Sequence, residues 1–487
     1  GKSGPMAKLG MELALLYYQS RAEGASGVQS LRQPAVGPRE ATSKATGREA
    51  YPRAVGSSAN GGTDGSPGGA PHRPRAQVLS PISADGQSVY VNAIASGDPE
   101  RLLADLQGLG LAGGEVAGGV VSGRLPIGQL QDAAQASRLR GMVPAYAQTH
   151  VGSVGSEADT AHAAPKARSE AGTDGSGQKV CVLSDSYDQD DSAETTASGD
   201  IQSGDLPGPG NPIGNTTPVD VVEEGGEGNT DEGRAMLQLI HDIAPGAELG
   251  FHTAFGGLAV FAQGIGDLAD AGCTVIVDDI RYNIEPFYQD GPVSKAVNEV
   301  VEGEGVPYFT SAGNDGQNSY EAPFRDSGEP GILDSSSVAH DFDPSSGTDT
   351  RQKIALEAGG RFRIFAFQWT DPSSVVEGSK GADTDIDVAL VNDAGTVVAS
   401  SSSDNIATGI PLESIDYTND TGSSQVLNLT VEKFAGPDPE EIKYVYSGSG
   451  YDIQEYDTLG PTVYGHPVAE RAVAVAAAPF FNTAAYN

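Results

Sequence analysis

Apolar residues change their spacing several times along the chain, and each change marks a different kind of unit. From residue 88 a run at 89–94 alternates as a strand does, and Asp98 then stands as N-cap to a helix carrying Leu102, Leu103, Leu106 and Leu109 inward. A second round follows, with 116–121 extended, a helix starting at Pro126 that turns Leu130 and Ala133 inward, and 139–143 extended. That order of strands and helices predicts a small open-faced α+β unit within 76–150.

Residues 151–333 have a different texture. Continuous apolar strands at 179–183, 248–253, 274–277 and 306–311 are separated by amphipathic helices starting at Asp231 and lying at 258–271 and 293–302. This alternation predicts a doubly wound parallel sheet of the α/β class. Catalytic groups of such a sheet belong at the carboxyl ends of its strands, where Asp185, Asp278, Asp279 and Asn314 fall. Over 334–460 the runs shorten, at 352–356, 361–369, 386–392, 396–400 and 426–432, and predict an antiparallel β-sandwich. A further apolar run stands at 472–477; by the family resemblance set out below it is the strand that returns to the parallel sheet, which makes the sandwich an insertion and 461–487 part of the core. At the other end, 11–20 reads as a short helix inside an otherwise low-complexity region, 1–75, whose Gly, Ser, Pro, Ala and Arg from 24 onward predict disorder.

Composition narrows the partners. With 66 acidic against 29 basic residues the net charge is −37, which argues against nucleic acid and anionic membrane surfaces as partners. Such acidity also fits a salt-adapted, halophilic setting, where ions screen self-repulsion. The two cysteines, Cys181 and Cys273, exclude a disulfide-rich scaffold and read as small buried apolar residues. No apolar run reaches membrane-spanning length and no signal-peptide pattern is visible; the chain, which does not begin with methionine, reads as a fragment or processed form.

Three segments carry a family resemblance. Val180-Cys181-Val182-Leu183-Ser184-Asp185-Ser186, then Asp231-Glu232-Gly233-Arg234-Ala235-Met236 running on to Ala244-Pro245-Gly246-Ala247, then Thr310-Ser311-Ala312-Gly313-Asn314-Asp315-Gly316 stand in the right order. They resemble the aspartate strand, base helix and oxyanion asparagine loop of the subtilisin and sedolisin superfamily of serine peptidases. The resemblance implies a serine-type endopeptidase with a polypeptide substrate, an extracellular or cell-surface address, and a ferredoxin-like propeptide in the α+β unit, an intramolecular partner of the core. The sandwich is similar to jelly-roll-like domains of secreted peptidases. Glu232 stands where subtilisins have histidine and sedolisins glutamate, while Met236 occupies the place of the sedolisin aspartate one turn later. The implied roles are Glu232 as general base, Asp185 as its orienting group, and Asn314 as oxyanion donor. No Gly-Thr-Ser-x-Ala-x-Pro segment occurs, so the nucleophile is expected beyond residue 487 and the polypeptide is expected to be inactive as it stands.

Each assignment has a plainer competitor. Asp185 could cap a turn, and Asn314 could belong to an Asn-Asp-Gly turn. Asn229-Thr230-Asp231-Glu232 fits a capping box, with Asn229 at N-cap and Glu232 at N3. His241, nine positions after Glu232, falls near the opposite side of the helix. Asp278, Asp279 and His466 are assigned to the substrate cleft, with a buried structural role as the competitor for His466; the paired aspartates suggest basic substrate side chains or a structural calcium. No cofactor is required. The alternative reading is a non-catalytic subtilase-fold binding module.

Overall fold

The computed structural model describes residues 4–23, 77–83, 85–149 and 158–484. The low-complexity stretch therefore lies outside the described residues, apart from a helix at Met11–Glu23. What the structure shows is a mixed α/β protein with one parallel sheet and several antiparallel ones.

The parallel sheet has six strands in the spatial order Ala472–Val475, Tyr308–Ser311, Val275–Asp278, Lys179–Ser184, Glu248–Thr253, Asp220–Glu223. Alternation along Lys179–Ser184 explains the layering, because Cys181 and Leu183 face one side and Val182 the other. The first side packs on helices Leu258–Asp270 and Pro292–Glu304 through Phe261, Ile265, Leu268 and Val297. The second packs on helix Glu232–Ile243 through Leu237, with Leu249 and Phe251. Both faces are covered, which is why these strands read as continuous apolar runs.

Cys181 and Cys273 are not isolated: they form a disulfide with a Cα–Cα distance of 5.9 Å. Parallel pairing of Val275 with Val180 and Ile276 with Cys181 brings the start of one strand beside the middle of the next. Nothing in a sequence separation of 92 residues announces that contact.

Ser88–Ala95, Ala112–Ala117, Val120–Pro126 and Leu139–Pro144 form the antiparallel sheet of the N-terminal unit. The stretch 116–121 is a hairpin turn rather than one strand, since Gly118 adopts φ 56° between the two. Leu13, Leu16 and Tyr17 of Met11–Glu23 join Leu102, Leu106 and Leu130 in this unit's core. Its sheet docks on helix Leu258–Asp270: the Asn92 side-chain oxygen accepts from Leu258 N at 3.0 Å, and Ser122 Oγ accepts from Ala259 N at 3.0 Å. Two side chains from another unit thus satisfy the N–H groups that a helix start leaves open.

The antiparallel domain begins earlier than residue 334, because Ser319–Ala322 and Asp326–Pro330 already pair into its nine-stranded sheet. These strands are too short and polar to show alternation. The two runs 352–356 and 361–369 are one strand, Gln352–Trp369, that bends at Gly359 (φ 72°) and changes partner there from Gln425–Ala435 to Leu412–Thr418. Among the described residues no helix is long and apolar enough to cross a membrane.

Candidate active site

Asp185 follows the central strand and is fully buried. Its carboxylate accepts four hydrogen bonds, from Thr230 N and Oγ1 (both 2.6 Å), Ser186 N (2.6 Å) and Glu232 N (3.0 Å). Burial raises its pKa above the usual carboxylate value despite these four donors.

The capping box does not form. Helix Glu232–Ile243 starts one residue after Asp231, which sits in the left-handed region (φ 53°) and makes no side-chain cap bond. Glu232 is therefore the first helical residue, not the N3 residue, and its open N–H is taken by Asp185 from the neighbouring strand. Asn229 instead donates to Asp185 O at 2.9 Å. The Asp231 carboxylate serves the loop, accepting from Ser186 Oγ (2.7 Å) and Gln189 N (2.6 Å), and it pairs with Arg234 at 2.8 Å. A left-handed non-glycine residue costs about 1–2 kcal/mol, and this lattice of polar contacts holds it in place.

Released from capping, the Glu232 carboxylate is 4% exposed and accepts from Ser184 Oγ at 3.2 Å. Gly233 beside it has no room for a side chain, since a Cβ there would lie 2.3 Å from the Phe251 ring and 2.8 Å from Ser186 O. His241 lies toward the far end of the same helix, with its Nε2 3.3 Å from Asn215 Nδ2.

One strand along, Asp278 ends Val275–Asp278, in register with Leu183 on one side and Thr310 on the other. Its Oδ1 meets Thr310 Oγ1 at 3.0 Å and His466 Nε2 at 3.1 Å. His466 is fully enclosed, with Nδ1 2.9 Å from Glu285 Oε2 and the Phe261 ring edge-on at 5.0 Å. Burial pulls its pKa down, but Glu285 and Asp278 outweigh burial and push it up to about 10. His466 is thus a charged rivet between two carboxylates and presents no atom to an open cleft. Among the described residues no group of three or more His, Cys, Asp or Glu is arranged for a metal.

Asp279 is half-buried and lines a small open depression together with Ile280, Arg281, the 311–313 turn, Val463, Tyr464 and Pro467. Arg281 forms the floor, paired with buried Asp315 and stacked 4.7 Å over the Tyr464 ring. That pair anchors the loop carrying Asn314, which is exposed and has no hydrogen bond among the described residues. Asp185, Glu232, Asp278, Asp279 and Asn314 therefore share one edge of the sheet, and two strand spacings of about 4.8 Å put roughly 10 Å between the Asp185 strand and the Asn314 strand.

Sequence reading missed Glu285, Ser184 and Thr230, because a carboxylate in a loop and two hydroxyls carry no spacing signal. It also missed what lies on the edge. Ala147–Thr149 pairs antiparallel with Arg281–Tyr282, Gln148 opposite Arg281 and Ala147 opposite Tyr282. Tyr282 is itself pinned by its N–H to Glu285 Oε1 (3.2 Å) and its hydroxyl to Ala254 O (2.8 Å).

No protein-family model and no curated protein matches the chain. Among solved structures it is similar to the CspB protease of Clostridium perfringens, at 12% identity and a TM-score of 0.33 over 68% of this chain and 75% of that one. It is also similar to the epidermin leader peptide processing serine protease (EpiP) of Staphylococcus aureus, at 12% identity and a TM-score of 0.27 over 47% of this chain. The match spans 61% of the EpiP chain.

Proposed function

We propose that this chain carries the peptide-binding and proton-handling part of a serine-type endopeptidase of subtilisin/sedolisin-like type. The observation that supports this most is the backbone pairing of Ala147–Thr149 with Arg281–Tyr282. An extended segment of the chain itself occupies that edge, and its antiparallel direction aims the strand's carboxyl end toward Ile280 and Asp279. Adding a strand to an open edge is a general mode of peptide recognition. The N-terminal unit then acts as a propeptide-like occupant of its own cleft.

In this reading Glu232 accepts the proton of a serine hydroxyl, while Asp185 fixes the start of the base helix through the Glu232 N–H. Asn314 donates its uncommitted amide to the tetrahedral oxyanion, an interaction worth about 3–4 kcal/mol in such sites. No Gly-Thr-Ser-x-Ala-x-Pro segment occurs in these 487 residues, so no hydrolysis is expected from this polypeptide alone. A secreted or cell-surface setting agrees with the disulfide, which persists in oxidising compartments.

One observation favours the alternative, a non-catalytic binding module: all four hydrogen bonds to Asp185 come from backbone and Thr230, and none from a side chain acting as base. The experiment that separates the two takes the natural protein that contains this chain and follows hydrolysis of a casein peptide from pH 4 to 8. Peptidase activity persisting at pH 5 and falling about 10²–10⁴-fold in Glu232→Gln is expected for a carboxylate base. Cleavage untouched by that substitution would sink the role of Glu232; binding without cleavage would establish the module.

A further inference from the structure

The N-terminal unit touches a second body besides the parallel core. Gly141 on its edge strand lies so close to the antiparallel domain that a Cβ there would be 2.8 Å from Thr408 Cβ and 3.0 Å from Thr408 O. Neighbouring Arg140 donates to Lys380 O. Met11 N, at the start of helix Met11–Glu23, points to Ser403 Oγ at 3.5 Å, and Ser402 Oγ approaches Met11 Sδ at 3.6 Å. Ile94, Val120 and Ala145 of the unit share an apolar cluster with Val375 and Ile410 of the domain. Nothing in the peptidase reading uses this contact.

We propose that the antiparallel domain is a second receptor for the N-terminal unit, and that the contact between Met11–Glu23 and residues 401–416 is a latch that opens as the solution turns alkaline. The chemistry lies in one carboxyl group set into the contact, Glu12, and a second, Glu413, that shapes the loop behind it. Glu413 is 1% exposed and organises the receiving loop: Ser401 Oγ donates to it, as do Ser403 N at 2.9 Å and Asn405 Nδ2 at 3.1 Å. Asn405 also donates to Ile410 O and Leu412 O, closing the loop that presents Thr408 to Gly141. Ser403 therefore joins Glu413 on one side to Met11 on the other.

Glu12, the next residue of the helix, faces strand Leu412–Thr418 at Ser414 and Asp416. Asp416 is held by Arg361 Nε at 2.6 Å and Arg363 Nε at 3.1 Å, and Tyr146 of the N-terminal unit faces the same group of charges. Burial, then Asp416, push Glu12 up to about 7 against the Ser414 hydrogen bond. Burial pushes Glu413 up to about 8, with Asp387 acting in the same direction and its three donors in the other. A carboxyl whose pKa is raised by the contact favours that contact fully below its free value near 4.5; for Glu12, whose partners Asp416 and Ser414 lie across the contact, that support is lost as pH rises through about 7, whereas the groups that shift Glu413 all belong to the antiparallel domain itself. An ionised Glu12 beside Asp416 then works against closure.

The latch is independent of peptide cleavage, so it is tested on the full chain without any activity measurement. Amide hydrogen exchange of residues 401–410 at pH 5.5 and 9, corrected for intrinsic rates, reads the opening. The expected result is about tenfold or greater loss of protection at pH 9, with fluorescence of Trp369, buried in the antiparallel core, unchanged to show that the domain stays folded. Glu12→Gln, on the opposite side of the contact, is expected to restore most of that protection at pH 9. Gly141→Val is expected to expose 401–410 at both pH values. Equal protection of the wild-type chain at both pH values overturns the proposal. So does a Glu12→Gln variant that loses protection as the wild type does, because the loosening would then be local to Glu413.

Discussion

His466 illustrates how a single buried charge ties the candidate site together. It bridges Asp278, at the end of a sheet strand, to Glu285, which in turn holds the N–H of Tyr282 on the strand that pairs with Ala147–Thr149. Removing one partner of a buried ion cluster strands the others, typically at about 3–5 kcal/mol. His466→Gln is therefore expected to lower the stability measured by urea unfolding by that amount at pH 7. With its pKa raised from 6.5 to about 10, the histidine's contribution is complete below pH 6.5 and fades as pH rises through 10, and the variant should lose this pH dependence. Gly233→Ala makes a different point. Alanine is the better helix former, yet the predicted effect is a loss of about 1–3 kcal/mol, because the added methyl meets Phe251 and Ser186 O. Asp185, Glu232 and Asn314 were legible as residue types at the ends of predicted elements. Their partners were not, since a hydrogen bond such as Thr230 to Asp185 joins positions 45 apart with no shared periodicity.

Most parallel-sheet elements are visible as patterns because both faces of that sheet are buried. Glu248–Thr253 matches its apolar run, and Pro292–Glu304 extends the expected helix by a residue or two at each end. Asp220–Glu223 was not visible, being a short edge strand with all four residues exposed and no alternation. The disulfide belongs to this scale as well, joining the central strand to the loop before its neighbour. Closing a loop of 92 residues is worth about 4–5 kcal/mol in the chain-entropy account, and Cys273→Ser should show a loss of that order, about 2–5 kcal/mol, in chemical denaturation. The start of helix Leu258–Asp270 relies on Asn92 and Ser122 of the N-terminal unit, with Gly257 at φ 112° leaving no space for a Cβ between them. Asn92→Ala removes an acceptor from two buried donors, Leu258 N and Ser122 Oγ, and is expected to cost about 1–2 kcal/mol. Faster proteolytic release of the N-terminal unit would report the same loss; unchanged release would show that this cap does not hold the unit down.

At the scale of the molecule, charge and architecture act separately. A net charge of −37 repels itself in dilute buffer, so raising NaCl from about 0.05 to 1 M, which shortens the screening length from roughly 14 to 3 Å, is expected to raise the thermal midpoint by several degrees. A flat response would show that self-repulsion among the acidic groups does not limit stability. By itself the sequence determined the mixed α/β character, the alternation of strands and helices in the parallel sheet and the end of its strands at which Asp185, Asp278, Asp279 and Asn314 lie, because burial imposes a period on residues close in sequence. Only the tertiary structure decided the relations between distant segments: the Cys181–Cys273 bond, the enclosure of His466, and the strand 147–149 lying on 281–282. It also decided that Glu232 opens its helix and leaves the cap to Asp185. Those outcomes depend on which surfaces meet when the units pack, and a periodicity of two or of 3.6 carries no information about that.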